Sequence, residues 1–343
     1  MRVLLTGIGG FIGAHVVNWI LTRTDWDLIG VDSWRAKHVN DGKRLQDALA
    51  GLSASQLARL KTYRWDLTHS FTPAIVNQLF AEPVDCIISM ASDSRVTYSV
   101  TNPGETWYTN TQLAFNMLEL ARQHPIKMFV QVSTDEVYGD AGWDSPGHPE
   151  WDTILPSNPY SASKAAQEAL AISYWRTYNV PVVVTNTMNV IGEWQDPEKF
   201  LPKAIKRISR GEPMTLFAEP DGKTTSRRVW LDAKNMAAAL VHICQNVTAK
   251  MCEQPQDRPH RFHIIGETEL GVDELAQCVA DKLHLPLLKE LISGDKIRPG
   301  YDRRYALVDN NLKATGFKPP YCFEATIDRI IHWAKDNPNW IYE

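Results

Sequence analysis

The stretch TGIGGFIG, at residues 6–13, lies between a short apolar run and a segment with helical spacing. Three glycines within it are spaced as GxxGxxG. Glycine permits a tight turn and lets backbone amides approach a pyrophosphate at the positive end of the following helix. Because the pattern occupies the strand–loop–helix position of a β–α–β unit, it predicts a dinucleotide-binding loop; the alternative is a glycine-rich turn without a ligand. The residues assigned to this loop are Gly7, Gly10, Phe11, Ile12 and Gly13.

Apolar runs alternate with helical patterns along the first half of the chain. The predicted strands lie at 2–6, 27–32, 62–65, 85–91, 127–133 and 180–187. Helical patterns lie between most of them, the longest at 106–124 and 161–178. Nearly continuous apolar strands separated by helices are typical of a parallel sheet covered on both faces. The predicted fold class is therefore α/β, a Rossmann-type doubly wound parallel sheet.

The regularity fades after about residue 188, where prolines and glycines become frequent. The mixed helical and strand patterns that follow predict a smaller mixed α/β C-terminal substrate lobe. We assign residues 1–187, with about 226–250, to the dinucleotide-binding domain, and 188–225 with 251–343 to the second lobe. Residues 33–61 are polar and irregular and predict an insertion.

Composition limits the possible functions. The 343-residue chain has a formal net charge of −4, so no basic surplus indicates binding to nucleic acid or to an anionic membrane. No apolar run is long enough for a membrane helix, and no signal-peptide pattern is present. The five cysteines are odd in number and lack CxxC spacing, which disfavours a disulfide framework or a metal site. We expect a cytoplasmic protein.

The nature of the dinucleotide is indicated at the ends of strands. Asp32 ends the second strand, where a carboxylate accepts hydrogen bonds from the adenosine ribose and repels a 2′-phosphate. This favours NAD over NADP, although Arg35 and Lys37 follow closely and could accommodate a phosphate. Asp66 and Leu67 follow the third strand and could hold the adenine edge; an ordinary strand-end Asp is the alternative. Ala91, after the fourth strand, is assigned to the same cofactor site.

The segment NPYSASK, at 158–164, places Tyr160 and Lys164 four residues apart on one face of a helix. A lysine charge there is expected to lower the pKa of the phenol from about 10 toward neutrality. The tyrosinate could then accept a proton from a sugar hydroxyl while hydride leaves for nicotinamide. The alternative is a helical tyrosine beside a solvated lysine.

The segment VQVSTDEVYG, at 130–139, ends an apolar strand in Thr134, Asp135 and Glu136. Two adjacent carboxylates repel each other, and burial of either is costly. A solvated turn is one interpretation, and paired acid and base chemistry is the other. Both groups can reach one substrate only if the strand has already broken into a loop, since neighbouring side chains of a strand point to opposite faces.

Together these motifs resemble the extended short-chain dehydrogenase/reductases that act on nucleotide sugars, over essentially the whole chain. The Thr-Asp-Glu triplet is similar to that of the 4,6-dehydratase branch, whose members act on dTDP-glucose. The resemblance implies NAD as a recycled cofactor and a 4-keto-6-deoxy sugar plus water as products. It also implies that Glu136 removes the C5 proton and that Asp135, protonated near neutrality, donates to the departing C6 hydroxyl.

The resemblance also implies a diphosphate site and a subunit interface. The run IRPGYDRRYAL, at 297–307, is similar to a nucleotide-binding segment of the family. The substrate-binding residues implied in this way are Ser94, Asn189, Glu198, Lys199, Arg228, Arg298 and Tyr301. Helices 106–124 and 161–178 imply a homodimer through a four-helix interface, unless both simply pack on the sheet.

Some segments depart from the family pattern. The stretch ASDSRVTYS, at 91–99, replaces AAESHVDRS, which leaves the sugar and the base open: UDP-glucose or an amino sugar are alternatives to dTDP-glucose. A 4-epimerase or decarboxylase of the same fold would use Tyr160 and Lys164 without loss of water, and the acidic pair argues against it. A non-catalytic NAD-sensing regulator is a further alternative, which the presence of both residues disfavours.

Overall fold

The computed structural model describes residues 1–34, 42–219, 221–247, 257–293 and 300–342. The strands of these ranges are β1 (Arg2–Thr6), β2 (Asp27–Asp32), β3 (Leu60–Arg64), β4 (Cys86–Ser89), β5 (Met128–Thr134), β6 (Val182–Thr187), β7 (Asn189–Ile191), β8 (Met214–Ala218), β9 (Arg227–Asp232), β10 (His260–Ile264), β11 (Thr268–Gly271) and β12 (Lys289–Ser293).

The helices of the same ranges are α1 (Phe11–Arg23), α2 (Lys43–Leu49), α3 (Ala54–Leu57), α4 (Pro73–Leu79), α5 (Val96–Thr101), α6 (Pro103–Gln123), α7 (Pro159–Tyr178), α8 (Phe200–Ser209), α9 (Ala233–Asn246), α10 (Val272–Leu283), α11 (Asn310–Ala314), α12 (Phe323–Asp336) and α13 (Pro338–Tyr342). A single 3₁₀ turn, Asp135–Val137, follows β5 directly.

A seven-stranded sheet in the order β10-β6-β5-β4-β1-β2-β3 forms the larger part of the molecule. Every neighbouring pair in it is parallel. The inner strands are buried on both faces, because α1 and α9 cover one side and α4, α6 and α7 cover the other. The predicted doubly wound parallel sheet is confirmed. The carboxyl ends of all seven strands meet at one edge, where ligands bind in open α/β sheets.

The second lobe has a separate apolar core, contributed mainly by α8, α10, α12 and α13. Two small sheets accompany it: β11-β9-β7, and the parallel pair β12-β8. Within the first of these, β9 pairs with β7 in parallel and with β11 antiparallel. This mixture agrees with the predicted small α/β lobe.

Two details differ from the predicted division of the chain. Residues 260–264, assigned to the second lobe, form β10 and pair with β6 as an edge strand of the large sheet. Residues 227–232, assigned to the dinucleotide-binding domain, form β9 in a small sheet. The prediction missed these crossings between the lobes because a short apolar strand carries no sequence signal for the sheet that it joins.

The insertion expected at 33–61 contains local structure. Residues 43–49 and 54–57 form α2 and α3, and β3 begins at Leu60. Arg44 on α2 is buried and donates from Nε to the carbonyl of Trp194, at 2.8 Å. This contact fastens α2 to the second lobe. Among the described residues, no helix is both long and apolar enough to cross a bilayer.

Candidate active site

The glycine loop joins β1 to α1 by a turn that tolerates little besides glycine. Gly7 has φ +79°, and its amide donates to the carbonyl of Val31 at 2.8 Å. A Cβ on Gly13 would lie 2.0 Å from the carbonyl oxygen of Gly7, so only glycine lets the helix approach so closely. The first turn of α1 has no acidic residue, and Gly10 offers no side-chain cap. Its free amides and positive end therefore favour an anion such as a pyrophosphate.

Asp32 lies at the end of β2 beside this loop. One carboxylate oxygen accepts from the amide of Gly9 and the other from the amide of Trp34, each at 2.8 Å. Trp34 has φ +56°, and a Cβ on Gly9 would meet its indole at 2.7 Å. The backbone thus fixes the carboxylate where a ribose is expected. Arg35 and Lys37, which could have favoured a 2′-phosphate, lie outside the described residues.

The remaining cofactor residues also lie near the carboxyl edge of the sheet. The amide of Ala91 donates to Thr6 Oγ1 at 3.0 Å, which ties the end of β4 to the end of β1. Asp66 accepts from the amide and hydroxyl of Thr68 at 3.0 and 2.8 Å, and the carbonyl of Leu67 accepts from Asn116. Phe11 and Ile12 open α1. These are the residues predicted to hold NAD, with the glycine loop at its pyrophosphate and Asp32 at its adenosine ribose.

The strand β5 breaks at Thr134, as the adjacent acids require. Thr134 caps the 3₁₀ turn: its hydroxyl donates to Asp135 Oδ1 at 2.9 Å and accepts from the amide of Glu136 at 3.4 Å. Gly139 follows with φ +79°, and a Cβ there would lie 2.4 Å from the carbonyl oxygen of Leu155. Outside the alternation of a strand, neighbouring side chains no longer point to opposite faces.

Asp135 is only 4% exposed, and its Oδ2 has no hydrogen-bond partner among the described residues. Burial, and next the charge of Glu136, raise the pKa of Asp135 to about 7, against contributions from the Thr134 hydroxyl and the Arg228 charge that lower it. A carboxyl group with this pKa is substantially protonated near neutrality. It can therefore donate a proton, as an acid catalyst must.

Glu136 is contacted by two residues that the sequence analysis did not identify. Its Oε2 accepts from Asn158 Nδ2 at 3.3 Å and lies 3.4 Å from the hydroxyl of Tyr305. The same hydroxyl donates to Asp302 Oδ2 at 2.6 Å, deep in the protein. The sequence did not indicate a role for Asn158, because its position signals only a helix N-cap. It did not indicate Tyr305 either, because the same run contains Tyr301, to which the nucleoside contact was assigned.

Tyr160 and Lys164 lie in the first turns of α7, which begins with an Asn158 capping box and Pro159 at its first position. Both side chains are buried. Burial, followed by the charges of Glu136 and Asp135, raises the pKa of Tyr160 above its ordinary value, while the Thr134 hydroxyl acts in the opposite direction. The expected lowering of this pKa by Lys164 is therefore not what the structure shows.

The ammonium group of Lys164 contacts the sheet. Nζ donates to the carbonyl of Val132 at 2.8 Å and to Gln167 Oε1 at 2.7 Å. Burial lowers the pKa of Lys164 to about 8. Because the ammonium group is directed to these acceptors, burial and the charges of Glu136 and Asp135 dominate the pKa of Tyr160.

The residues implied for the substrate are less tightly grouped. Arg228 is buried, donates to the carbonyls of Asp302 and Arg303 at 2.8 and 3.0 Å, and stacks 4.2 Å from the Tyr305 ring. The ring of Tyr301 lies 5.7 Å from the same guanidinium group.

Of the others, Asn189 begins β7, and its Oδ1 is buried without a partner in the described ranges. Ser94, Glu198 and Lys199 are exposed. Arg298 lies outside the described residues. The geometry therefore assembles the acid–base group closely and leaves the diphosphate contacts as predictions.

The chain is similar to known proteins over almost its whole length. Residues 3–254 match the family model of the NAD dependent epimerase/dehydratase family. Similar to the chain is dTDP-glucose 4,6-dehydratase 1 of Escherichia coli (strain K12), 30% identical over 99% of this chain and 94% of that protein. A trifunctional enzyme of Arabidopsis thaliana, named for UDP-glucose 4,6-dehydratase and two further activities, is 29% identical over 99% of this chain and 48% of its own length.

Among solved structures, the dTDP-glucose 4,6-dehydratase DesIV from Streptomyces venezuelae, crystallised with NAD bound, superposes with a TM-score of 0.83 at 27% identity. The match covers 99% of this chain and 98% of that one. The chain belongs to the NAD dependent epimerase/dehydratase family, and the predicted resemblance and the NAD cofactor are confirmed. Within the family, these relatives of matching length are dTDP-glucose 4,6-dehydratases.

The raised pKa of Asp135 predicts an unusual dependence of stability on pH. The folded protein holds the Asp135 proton up to about pH 7, whereas an ordinary carboxyl loses it near 3.8. The native state therefore binds more protons in this window, and the contribution to stability falls as pH rises through it. Replacement by Asn removes that loss. In urea unfolding, the stability of Asp135→Asn relative to wild type should rise by about 2–3 kcal/mol between pH 5 and pH 8. An unchanged difference would show that the carboxyl has an ordinary pKa.

Proposed function

We propose that the chain is an NAD-dependent nucleotide-sugar 4,6-dehydratase, a hydro-lyase that converts dTDP-glucose to the 4-keto-6-deoxy sugar and water. The observation that carries this proposal is the pairing of a buried Asp135, with its pKa raised to about 7, and an adjacent Glu136 in one broken strand end. Elimination of water needs both an acid and a base at neighbouring carbons. A 4-epimerase needs no such pair at C5 and C6, because its chemistry stays at C4.

NAD, when bound, supplies the redox chemistry of the first and last steps. Tyr160, beside the Thr134 hydroxyl, is the residue placed to accept the proton of the C4 hydroxyl. The raised pKa makes the Tyr160 phenolate a strong base once it is ionised. The same raised pKa means that ionisation, and therefore proton transfer, depends on positive charge nearby. Lys164, one helical turn away, is the cation nearest in sequence that can provide it.

Oxidation at C4 acidifies the C5 proton, and Glu136 then removes it. Asn158 and Tyr305 contact the same Oε2 and hold the carboxylate in place. Asp135 donates its proton to the C6 hydroxyl, which leaves as water. Two adjacent carboxyl groups thus begin the elimination in opposite protonation states, because burial acts chiefly on Asp135 and not on Glu136.

The diphosphate of the substrate is assigned to the second lobe. Arg228, Asn189 and Arg298 are the proposed contacts, with Ser94, Glu198, Lys199 and Tyr301 near the sugar and nucleoside. Arg228 already donates to three backbone carbonyls, so its role toward the diphosphate is electrostatic. The relatives that match over almost their whole length are named for dTDP-glucose, which supports dTDP-glucose over UDP-glucose. Nothing in the charge of the chain supports nucleic acid as a partner, and a cytoplasmic location stays a prediction.

The substrate can be tested by mass spectrometry. Purified protein is incubated separately with dTDP-glucose and UDP-glucose, without added cofactor. We expect loss of one water from dTDP-glucose, since the redox steps cancel and bound NAD recycles. Water loss only from UDP-glucose would keep the reaction and change the nucleotide. Unchanged mass with both, together with an altered C4 configuration by NMR, would replace the proposal with an epimerase.

The roles of the two carboxyl groups can be separated by isotope exchange. Asp135→Asn and Glu136→Gln should each reduce turnover by about 10²–10⁴-fold, the usual contribution of a general acid or base, while NAD binding is unchanged. In D₂O, Asp135→Asn should still exchange the C5 hydrogen because Glu136 is intact, whereas Glu136→Gln should not. Wild-type turnover in either variant would show that the roles are wrongly assigned. Ser55→Ala, at an exposed position of α3, serves as the control.

We also propose that the protein is a homodimer through α6 and α7, which pack against each other on the sheet. The outer surface of α6 exposes Trp107, Tyr108 and Phe115 by 48, 57 and 41%, and Tyr178 at the end of α7 is 50% exposed. A cluster of exposed aromatic side chains is costly in water and marks an interaction surface. A second copy of the same helix pair would cover it in a four-helix arrangement.

The interface can be tested by sedimentation. Trp107→Asp with Phe115→Asp should convert a dimer to a monomer in analytical ultracentrifugation, because two charges would be buried in an apolar contact. Leu285→Asp with Leu288→Asp places the same charges on exposed leucines of the second lobe and should leave the dimer intact. A wild-type monomer, or dissociation only in the control, would exclude this surface as the interface.

A further inference from the structure

A fully buried ion pair lies behind the catalytic residues. Arg261 Nη2 on β10 and Glu168 Oε2 on α7 are 2.8 Å apart, and the two side chains are 1% and 0% exposed. Removing two charges from water is expensive, and apolar side chains of similar size often stabilise a fold as well or better. A buried pair therefore calls for an explanation other than stability.

Hydrogen bonds lead from this pair to the catalytic turn. The second oxygen of Glu168, Oε1, accepts from Asn186 Nδ2 on β6 at 2.7 Å. The same amide donates to the carbonyl oxygen of Thr134 at 3.0 Å. Thr134 is the last residue of β5 and the cap of the turn that holds Asp135 and Glu136. The carbonyl at the break in the strand is thus fixed by an amide that Glu168 orients.

The neighbouring carbonyls of β5 are held in a similar way. Lys164 Nζ donates to Val132 O at 2.8 Å, and Thr187 Oγ1 donates to Ser133 O at 3.3 Å. Three consecutive carbonyls before the catalytic turn therefore each receive a side-chain donor. Of the donors at the two ends of this row, Asn186 also donates to Glu168, and Lys164 precedes Glu168 by one turn of α7.

Glu168 also faces Lys164 along α7, one helical turn away on the same side. The other ionisable groups nearby are divided between the two residues. Tyr160 precedes Lys164 on α7, with Asp135 and Glu136 beyond it on the turn after β5. Arg261 from β10 and Tyr138 from the segment after the turn face Glu168, and His263 contacts Tyr138. Among these charges, only Glu168 opposes the effect of burial on the pKa of Lys164.

We propose that Glu168, held in place by Arg261, is a positioning residue of the active site that orients Asn186 against the Thr134 carbonyl and keeps Lys164 protonated by its negative charge. The inference rests on the proposed dehydratase function, because it assigns Glu168 to the same Tyr160–Lys164 site. Arg261 compensates the charge of the buried carboxylate. Neither residue touches the reacting atoms.

The charge can be removed without leaving an unpaired ion in the core. In the double variant Glu168→Gln with Arg261→Met, both charges disappear, and the Gln amide oxygen can still accept from Asn186. We expect the alkaline limb of the kcat–pH profile to move to lower pH by about one unit, which corresponds to a tenfold loss of kcat above the limb. In Glu168→Leu with Arg261→Met the acceptor is lost too, and kcat should fall further at every pH.

A control removes a second, partly buried ion pair outside the acid–base group, whose members also pair with Lys234 and Asp232. Arg329 Nε and Glu193 Oε1 lie 2.8 Å apart between α12 and the segment after β7. Glu193→Gln with Arg329→Met should leave the pH profile unchanged. If it shifts the alkaline limb as much as the Glu168 pair does, or if the Glu168 pair leaves both kcat and the limb at wild-type values, the proposal is overturned.

A spectroscopic measurement separates this inference from the proposed function. Protein labelled with ¹³C at lysine Cε is titrated by NMR, with the Lys164 signal identified by its absence in Lys164→Met. The Lys164 pKa should be lower in Glu168→Gln with Arg261→Met than in wild type, whether or not any sugar is turned over. If the double variant and the wild type give the same Lys164 titration while the wild type turns over a sugar, the inference is refuted and the proposed function is not. Wild-type inactivity on both sugars refutes the proposed function alone.

Discussion

The repulsion between two adjacent carboxyl groups at the end of a buried strand is the constraint on which the site depends. Asp135 and Glu136 cannot both be charged at close range out of water, so one must keep its proton. The fold places Asp135 inside, where its Oδ2 has no partner among the described residues, and leaves Glu136 in contact with the side-chain amide of Asn158 and the hydroxyl oxygen of Tyr305. The same disposition that costs stability above neutral pH provides an acid and a base without any change in residue type.

Around this pair the structure supplies rigidity more than contacts to a ligand. Thr134 caps the turn, Asn186 and Lys164 hold the strand carbonyls before it, and the capping box at Asn158 fixes the start of α7. Asn158 performs two functions at once, because its Oδ1 accepts from the Ser161 amide while its Nδ2 reaches Glu136. Helix initiation and catalytic geometry are therefore coupled at one residue. Preorganisation of this kind lets acid and base groups act with little rearrangement.

The sheet and the glycine loop were predictable because they follow from local patterns. Apolar runs of strand length and a GxxGxxG turn need no tertiary information, and the first six strands lie within a few residues of their predicted positions. Tyr305 and the Arg261–Glu168 pair were not predictable, because their partners lie 169 and 93 residues away in sequence. The prediction that Lys164 lowers the pKa of Tyr160 failed for a related reason. Spacing on a helix shows that Lys164 is near, but it does not show that the ammonium group is directed to the carbonyl of Val132.

The edge strand β10 has a consequence for the synthesis of the chain. It is formed by residues 260–264, yet it pairs along the open side of β6, whose last residue is Thr187. As the chain emerges from the ribosome, β6 therefore has one unpaired edge until more than seventy further residues have been made. An exposed, apolar strand edge readily pairs with another chain. The large sheet can therefore be completed only after much of the second lobe has been synthesised. Protection from aggregation during translation is needed over that whole interval.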